Sequence, residues 1–208
     1  MGPRHRDIIG QTQTLAPAGA AGTAKLRHWP PLEPQAQLFI AQLGLVFFLS
    51  ARVDRLAPGT ATLLFLLYAA LTGATFSVLL LAYTGASIAT TFLVTAGMFG
   101  ALAIYGTTTS RSLAGVGQFF FMGLIGLILA SIVGMFWRNQ ALEFLISVIG
   151  VLVFTGLTAW DAQRLKQMAT QIPQDRLGSY AIVGALSLYL NFINLFLFLL
   201  RFMGGRRD

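Results

Sequence analysis

Between positions 56 and 110 the chain carries no charged side chain. A hydrocarbon layer of about 30 Å is crossed by about 20 mostly apolar residues, so this stretch can cross a bilayer twice, with Gly85 as the punctuation between crossings. Helices that are apolar all round have no solvated face to offer in water. Composition agrees: 56% of the 208 residues are hydrophobic and 10% are charged, where soluble domains carry roughly 25% charge. With a mean hydropathy of +0.73, the chain reads as an all-α integral membrane protein. A soluble enzyme is excluded.

Six segments are predicted to span: 38–51, 60–84, 87–106, 114–137, 142–161 and 180–203. The first is short and needs Gln35 and Gln37 to complete it. Residues 162–179 (AQRLKQMATQIPQDRLGS) read as the one substantial polar loop. Residues 1–36 form a tail rich in Gly, Ala, Pro, Thr and Gln, with Arg4, Arg6, Lys25 and Arg27, and are expected to be disordered. The tail lacks the apolar core of a signal peptide, so the first membrane helix is expected to target the chain. Residues 37–205 then form a single multi-pass transmembrane domain.

The 14 Lys and Arg against 7 Asp and Glu give a net charge of +7, which in a soluble domain would suggest nucleic acid. Here the basic residues are scattered over the tail, loops and helix ends, with no basic stripe interleaved with aromatics, so no nucleic-acid partner is expected. Arg52, Arg55, Arg111, Arg164, Lys166 and Arg176 follow the first, third and fifth segments, whereas Arg138, Arg206 and Arg207 follow the second, fourth and sixth. The count is divided: by the loops alone the positive-inside rule places the first group in the cytoplasm, and the four basic residues of the tail, which would then lie outside with the C-terminus, oppose it. The chain has no cysteine, which excludes disulfides and thiolate chemistry. His5 and His28 both lie in the tail at no metal-binding spacing, and no cofactor is expected.

Within the helices, Gly126, Ala130 and Gly134, and the group Thr72, Gly73, Ala74 and Ser77, offer small faces for close helix packing. Phe119, Phe120 and Phe121 read as lipid-facing or packing residues. Glu143 opens its helix, where the helix dipole favours an acid. Asp161 stands at the end of the apolar run 144–160. An intramembrane carboxylate is costly and by default functional, and the cost of burying its charge makes its protonation a candidate switch. The alternative is an i,i+3 pair with Arg164 at the membrane surface, worth a few tenths of a kcal/mol, which the pattern alone favours. Ser187, Asn191 and Asn194 follow at spacings of four and three, hence on one face of the last helix. Buried asparagines serve as interhelical hydrogen-bonding groups, or their carbonyl oxygens serve a hard cation.

The blocks GATFSVLLLAYTGASIATTFLVTAGMFGALAIYG, LAGVGQFFFMGLIGLILASIVGMF, ISVIGVLVFTGLTAWDAQRLKQM and GALSLYLNFINLFLFLLRF, in this order, resemble the Bax inhibitor-1/YccA family of membrane proteins, and the likeness extends over about residues 38–205. The resemblance implies a bundle of seven transmembrane helices with the last at its centre. It also implies a location in the bacterial inner membrane and a pH-sensitive calcium leak governed by two aspartates on the last two helices and an arginine latch. The first aspartate falls on Asp161, which would hold the passing calcium ion. The second falls on Asn191, and the latch on Arg52 or Arg55. Gln42 stands near a place where some members carry an acid. The tail takes the place of the family's first helix, so six crossings are expected here.

Two neighbouring carboxylates titrate as a coupled unit, and Asn191 cannot ionise. The implied leak should therefore depend on pH more weakly, or in a more acid range, than in relatives with two aspartates, and should hold a cation less tightly. A second reading, also implied by the resemblance, is a non-conducting regulator that binds other membrane proteins such as a membrane-anchored ATP-dependent protease. An intramembrane protease fails on chemistry, because Asp161 has no second acid at depth and both histidines lie in the tail. No enzyme activity is expected.

Overall fold

The computed structural model describes residues 34–52, 55–137 and 139–205. Six helices run through them: α1 (Pro34–Ala51), α2 (Pro58–Ala82), α3 (Gly85–Thr108), α4 (Ala114–Phe136), α5 (Gln140–Gln171) and α6 (Gln174–Met203). The last five are long and apolar enough to cross a membrane, whereas the apolar part of α1, Ile40–Ala51, is shorter. The tail lies outside the described residues, except that α1 begins at Pro34 and so takes in its last three positions.

The helix boundaries follow from local chemistry. Pro58 sits in the first turn of α2, where a missing N–H costs nothing. Thr84 Oγ1 accepts the Ser87 N–H at 3.3 Å to cap α3, and Asn139 Oδ1 accepts the Ala141 N–H at 2.9 Å to cap α5. Glu143 lies in the first turn of α5, as expected from its position.

The segment 162–179 is not a loop. Helix α5 continues to Gln171 and α6 begins at Gln174, so only Ile172 and Pro173 break the helical path. Ala, Gln, Arg, Leu, Lys and Met are all good helix formers, and Pro173 disfavours helix in the residue before it. Polarity had marked where the apolar layer ends, not where the helix ends.

Helices α5 and α6 form the centre. Buried residues make up 39% and 33% of their apolar spans, against 11–17% in α2, α3 and α4. Helix α5 packs against α3, α4 and α6, α6 also against α2 and α3, and α1 against α2. The family picture of a central last helix is met here by a central pair. Its main core joins Val153, Phe154 and Leu157 of α5 to Leu195 and Leu199 of α6, and the Phe154 and Phe198 rings stack at 5.8 Å.

Close approaches depend on glycines other than those the sequence pattern suggested. Gly106 lies against the Ala159 backbone, Gly117 against the Trp160 ring and Gly156 against Phe120. By contrast Gly126 and Gly73 face open space, Gly134 meets the Ile146 side chain and Ala130 packs against the main core, and of the second small-residue group only Thr72 is buried. Phe119 and Phe121 are exposed, as expected of side chains facing lipid.

The connections sort into two ends. At one end Ser179 Oγ donates to the Leu56 carbonyl at 2.7 Å, and Gln163 reaches the α3–α4 connection, so α1–α2, α3–α4 and α5–α6 turn together. At the other, the Thr84 N–H donates to the Gly205 carbonyl at 3.2 Å and the Gly205 N–H to Ser87 Oγ at 2.9 Å. Arg52, Arg55, Arg111, Arg164, Lys166 and Arg176 all belong to the first end.

Candidate functional site

Asp161 is carried by the part of α5 that passes from the apolar span into its polar extension, and is only 8% exposed. Facing it on α6, Ser187 and Asn191 are spaced by four residues and therefore lie one above the other. Ser187 Oγ–H donates to Asp161 Oδ2 at 2.6 Å, and Asn191 Nδ2–H donates to the same oxygen at 2.8 Å. Hydrogen bonds to an ionised oxygen are shorter and stronger than neutral ones, so both donors suit a charged carboxylate. Oδ1 accepts no hydrogen bond from the described residues.

The carboxylate lines a cleft of about 380 Å³, walled by Ser50 from α1, Arg164 from α5, and Tyr180 and Ser187 from α6. The cleft sits at the basic end of the bundle. One carboxylate oxygen is thus fixed by two donors, while the group as a whole borders open space. Such an arrangement can offer a negative oxygen to a hard cation, with neutral oxygens and water completing its shell. Among the described residues no group of three His, Asp or Glu side chains converges, and Asp161 is the one acidic side chain among those that line this cleft.

The structure brings Asp161, Ser187 and Asn191 together, and leaves other sequence candidates apart. Asn194 Nδ2 donates to the Leu190 carbonyl of its own helix at 2.8 Å and does not join Asp161. Three residues advance about 300° around a helix, which turns Asn194 away from the line of Ser187 and Asn191. Arg164 makes no ion pair with Asp161; its guanidinium lies over the Trp160 ring at 5.6 Å. Arg52 lies over its neighbour Phe48 at 5.8 Å, and both Arg52 and Arg55 are exposed. Neither lines the cleft. The cation that shares the cleft with Asp161 is Arg164. Gln42 is buried and donates from Nε2 to Thr75 Oγ1 at 2.8 Å, tying α1 to α2.

Sequence reasoning missed Gln163. It is 7% exposed, accepts the Leu113 N–H on Oε1 at 2.7 Å and donates from Nε2 to the Arg111 carbonyl at 2.8 Å. The signal was present: Gln163, Lys166, Gln167 and Thr170 recur at i, i+3, i+4 and i+7, one polar helix face inside what had been read as a loop.

Comparison with known proteins identifies the family of the chain. The family described as inhibitor of apoptosis-promoting Bax1 matches residues 11–208. The inner membrane protein YbhL of Escherichia coli K12 is 55% identical over 173 residues, covering 82% of this chain and 74% of its own. Uncharacterized proteins of Rickettsia prowazekii and Borreliella burgdorferi are 48% and 47% identical, each over 82% of this chain and covering 73% and 75% of their own. With a profile match across nearly the whole chain and helices long enough to span, the protein belongs to the Bax inhibitor-1/YccA family and is a multi-pass protein of the inner membrane.

Proposed function

We propose that this protein is a passive cation leak, with calcium as the permeant ion, in which Asp161 both attracts the ion and senses pH. The observation that carries the reading is the Asp161 carboxylate, held on Oδ2 by Ser187 and Asn191 and bordering the cleft at the basic end. A carboxylate kept inside a membrane bundle at the mouth of a cleft is costly unless it is used. Arg164 and Tyr180 are the other titratable groups lining the cleft.

Asn191 Nδ2 lies 2.8 Å from Asp161 Oδ2. Asn191→Asp would place a second carboxylate there, and two carboxylates so close share a proton. The natural asparagine removes that coupling, so the leak follows a shallow pH dependence and the variant a steep one.

The test is calcium flux into proteoliposomes from mildly acid to neutral pH for the natural protein, Asp161→Ala and Asn191→Asp. Flux that disappears in Asp161→Ala and becomes steeper with pH in Asn191→Asp supports the leak. Silence of all three folded proteins overturns it, and would turn attention to a regulator that binds other membrane proteins, such as a membrane-anchored protease.

A further inference from the structure

A second cleft, about 250 Å³, opens at the basic end between the α3–α4 connection and the polar extension of α5. At about 30 Å³ per water, it has room for a group the size of several waters. Arg111 and Lys166 supply its charge, and Ser110, Ser112 and Gln167 supply hydroxyls and an amide; the Thr170 hydroxyl beside them donates to the Gln167 carbonyl at 2.7 Å. Among the described residues no carboxylate lines it.

The cleft is built, not incidental. Gln163 grips the connection through both ends of its amide, at the Leu113 N–H and the Arg111 carbonyl. Lys166 Nζ donates to the Thr107 carbonyl at 2.7 Å, which uses one of its three donors and leaves two. The Arg111 guanidinium makes no side-chain hydrogen bond or ion pair with the described residues and is exposed. Helix α4 begins beside it, at Ala114, and the positive end of a helix dipole favours an anion.

Position narrows the ligand. Residues 109–113 join two membrane-length helices, so the cleft lies at the membrane surface. Counted over the loops between helices, the positive-inside rule turns this end to the cytoplasm, where the leaflet carries anionic headgroups. A guanidinium, an ammonium and two serine hydroxyls, with no opposing acid among the described lining residues, match a phosphate group.

We infer that this cleft binds a phosphate group at the membrane surface, with an anionic phospholipid headgroup as its source. It is separate from the Asp161 cleft and does not depend on ion conduction.

The experiment titrates the purified full-length protein in neutral detergent with phosphatidylglycerol, phosphatidylcholine and inorganic phosphate. The proteins compared are the natural one, Arg111→Gln, Lys166→Gln, and Arg201→Gln at the opposite end. Gln at 166 keeps a donor for Thr107, and the Arg111 backbone carbonyl held by Gln163 is untouched, so both variants should fold; circular dichroism checks this. Expected is tighter binding of phosphatidylglycerol than of phosphatidylcholine, weakened about fivefold by each of Arg111→Gln and Lys166→Gln and unchanged by Arg201→Gln. Inorganic phosphate binding with the same dependence on Arg111 and Lys166, without phosphatidylglycerol binding, supports the phosphate site and overturns the lipid source. Binding that ignores both substitutions, or no binding of either phosphate, overturns the site.

Discussion

The α5–α6 interface has two unlike halves. Toward the basic end it is polar and borders a cleft, with Asp161, Ser187 and Asn191 joined by hydrogen bonds. Toward the other end it is closed and apolar: Leu195 has no exposed surface, Gly150 admits the Phe198 ring, and that ring stacks on Phe154. Among the described residues, Thr155 Oγ1 is the fully buried side-chain nitrogen or oxygen without a hydrogen-bond partner. It lies about 9 Å along α5 from Asp161 at about 1.5 Å per residue. On the proposed leak reading, the stacked Phe154 and Phe198 rings form a plug below the polar cleft that Asp161 lines, and flux requires α5 and α6 to part there.

Four substitutions sharpen or break this contrast. Asp161→Ala should reduce calcium flux at least about tenfold, the factor that about 1.4 kcal/mol represents, with helical content unchanged. Undiminished flux would remove the polar half from the pathway. Phe198→Ala takes away the ring that fills the space at Gly150 and should cost about 3 kcal/mol of stability. It should also raise flux at every pH, and a stability loss without added flux would show that the apolar half is packing and no plug.

Gln163→Ala breaks two hydrogen bonds to the α3–α4 connection and should cost about 2 kcal/mol. Hydrogen exchange at Leu113 would report it as lost protection. The smallest effect is expected from Arg164→Gln. Removing the cation beside Asp161 should raise calcium flux two- to threefold at low ionic strength, by about the amount that partly screened charges contribute, and the gain should vanish at high salt.

The polar and apolar halves were not equally legible in the sequence. The spans of α2 to α6 were visible because unbroken apolar runs leave few alternatives, and Asp161 stood out because such a run ends on it. The four-residue spacing of Ser187 and Asn191 placed them on one face, and the family resemblance paired Asn191 with Asp161. The extension of α5 was missed because a helix leaving the bilayer loses its apolar signal but keeps its hydrogen bonds; Gln163 and Lys166 were hidden with it. The sequence left the latch open between Arg52 and Arg55, and that neither lines the Asp161 cleft whereas Arg164 does depends on where α1 ends relative to α5, a tertiary fact that no local pattern encodes. Nor did the spacing of Gly126, Ala130 and Gly134 predict that Gly106 would be the residue meeting the Ala159 backbone.

The most direct test of the account is Asp161→Asn. The amide has the shape of the carboxylate and keeps an oxygen to accept the Ser187 and Asn191 donors, so packing is retained while the charge is removed. Calcium flux measured beside the natural protein, with thermal unfolding as the control, should fall at least about tenfold and lose its pH dependence at unchanged stability. Flux and pH dependence equal to those of the natural protein would contradict the claim that the Asp161 charge governs the passage of ions.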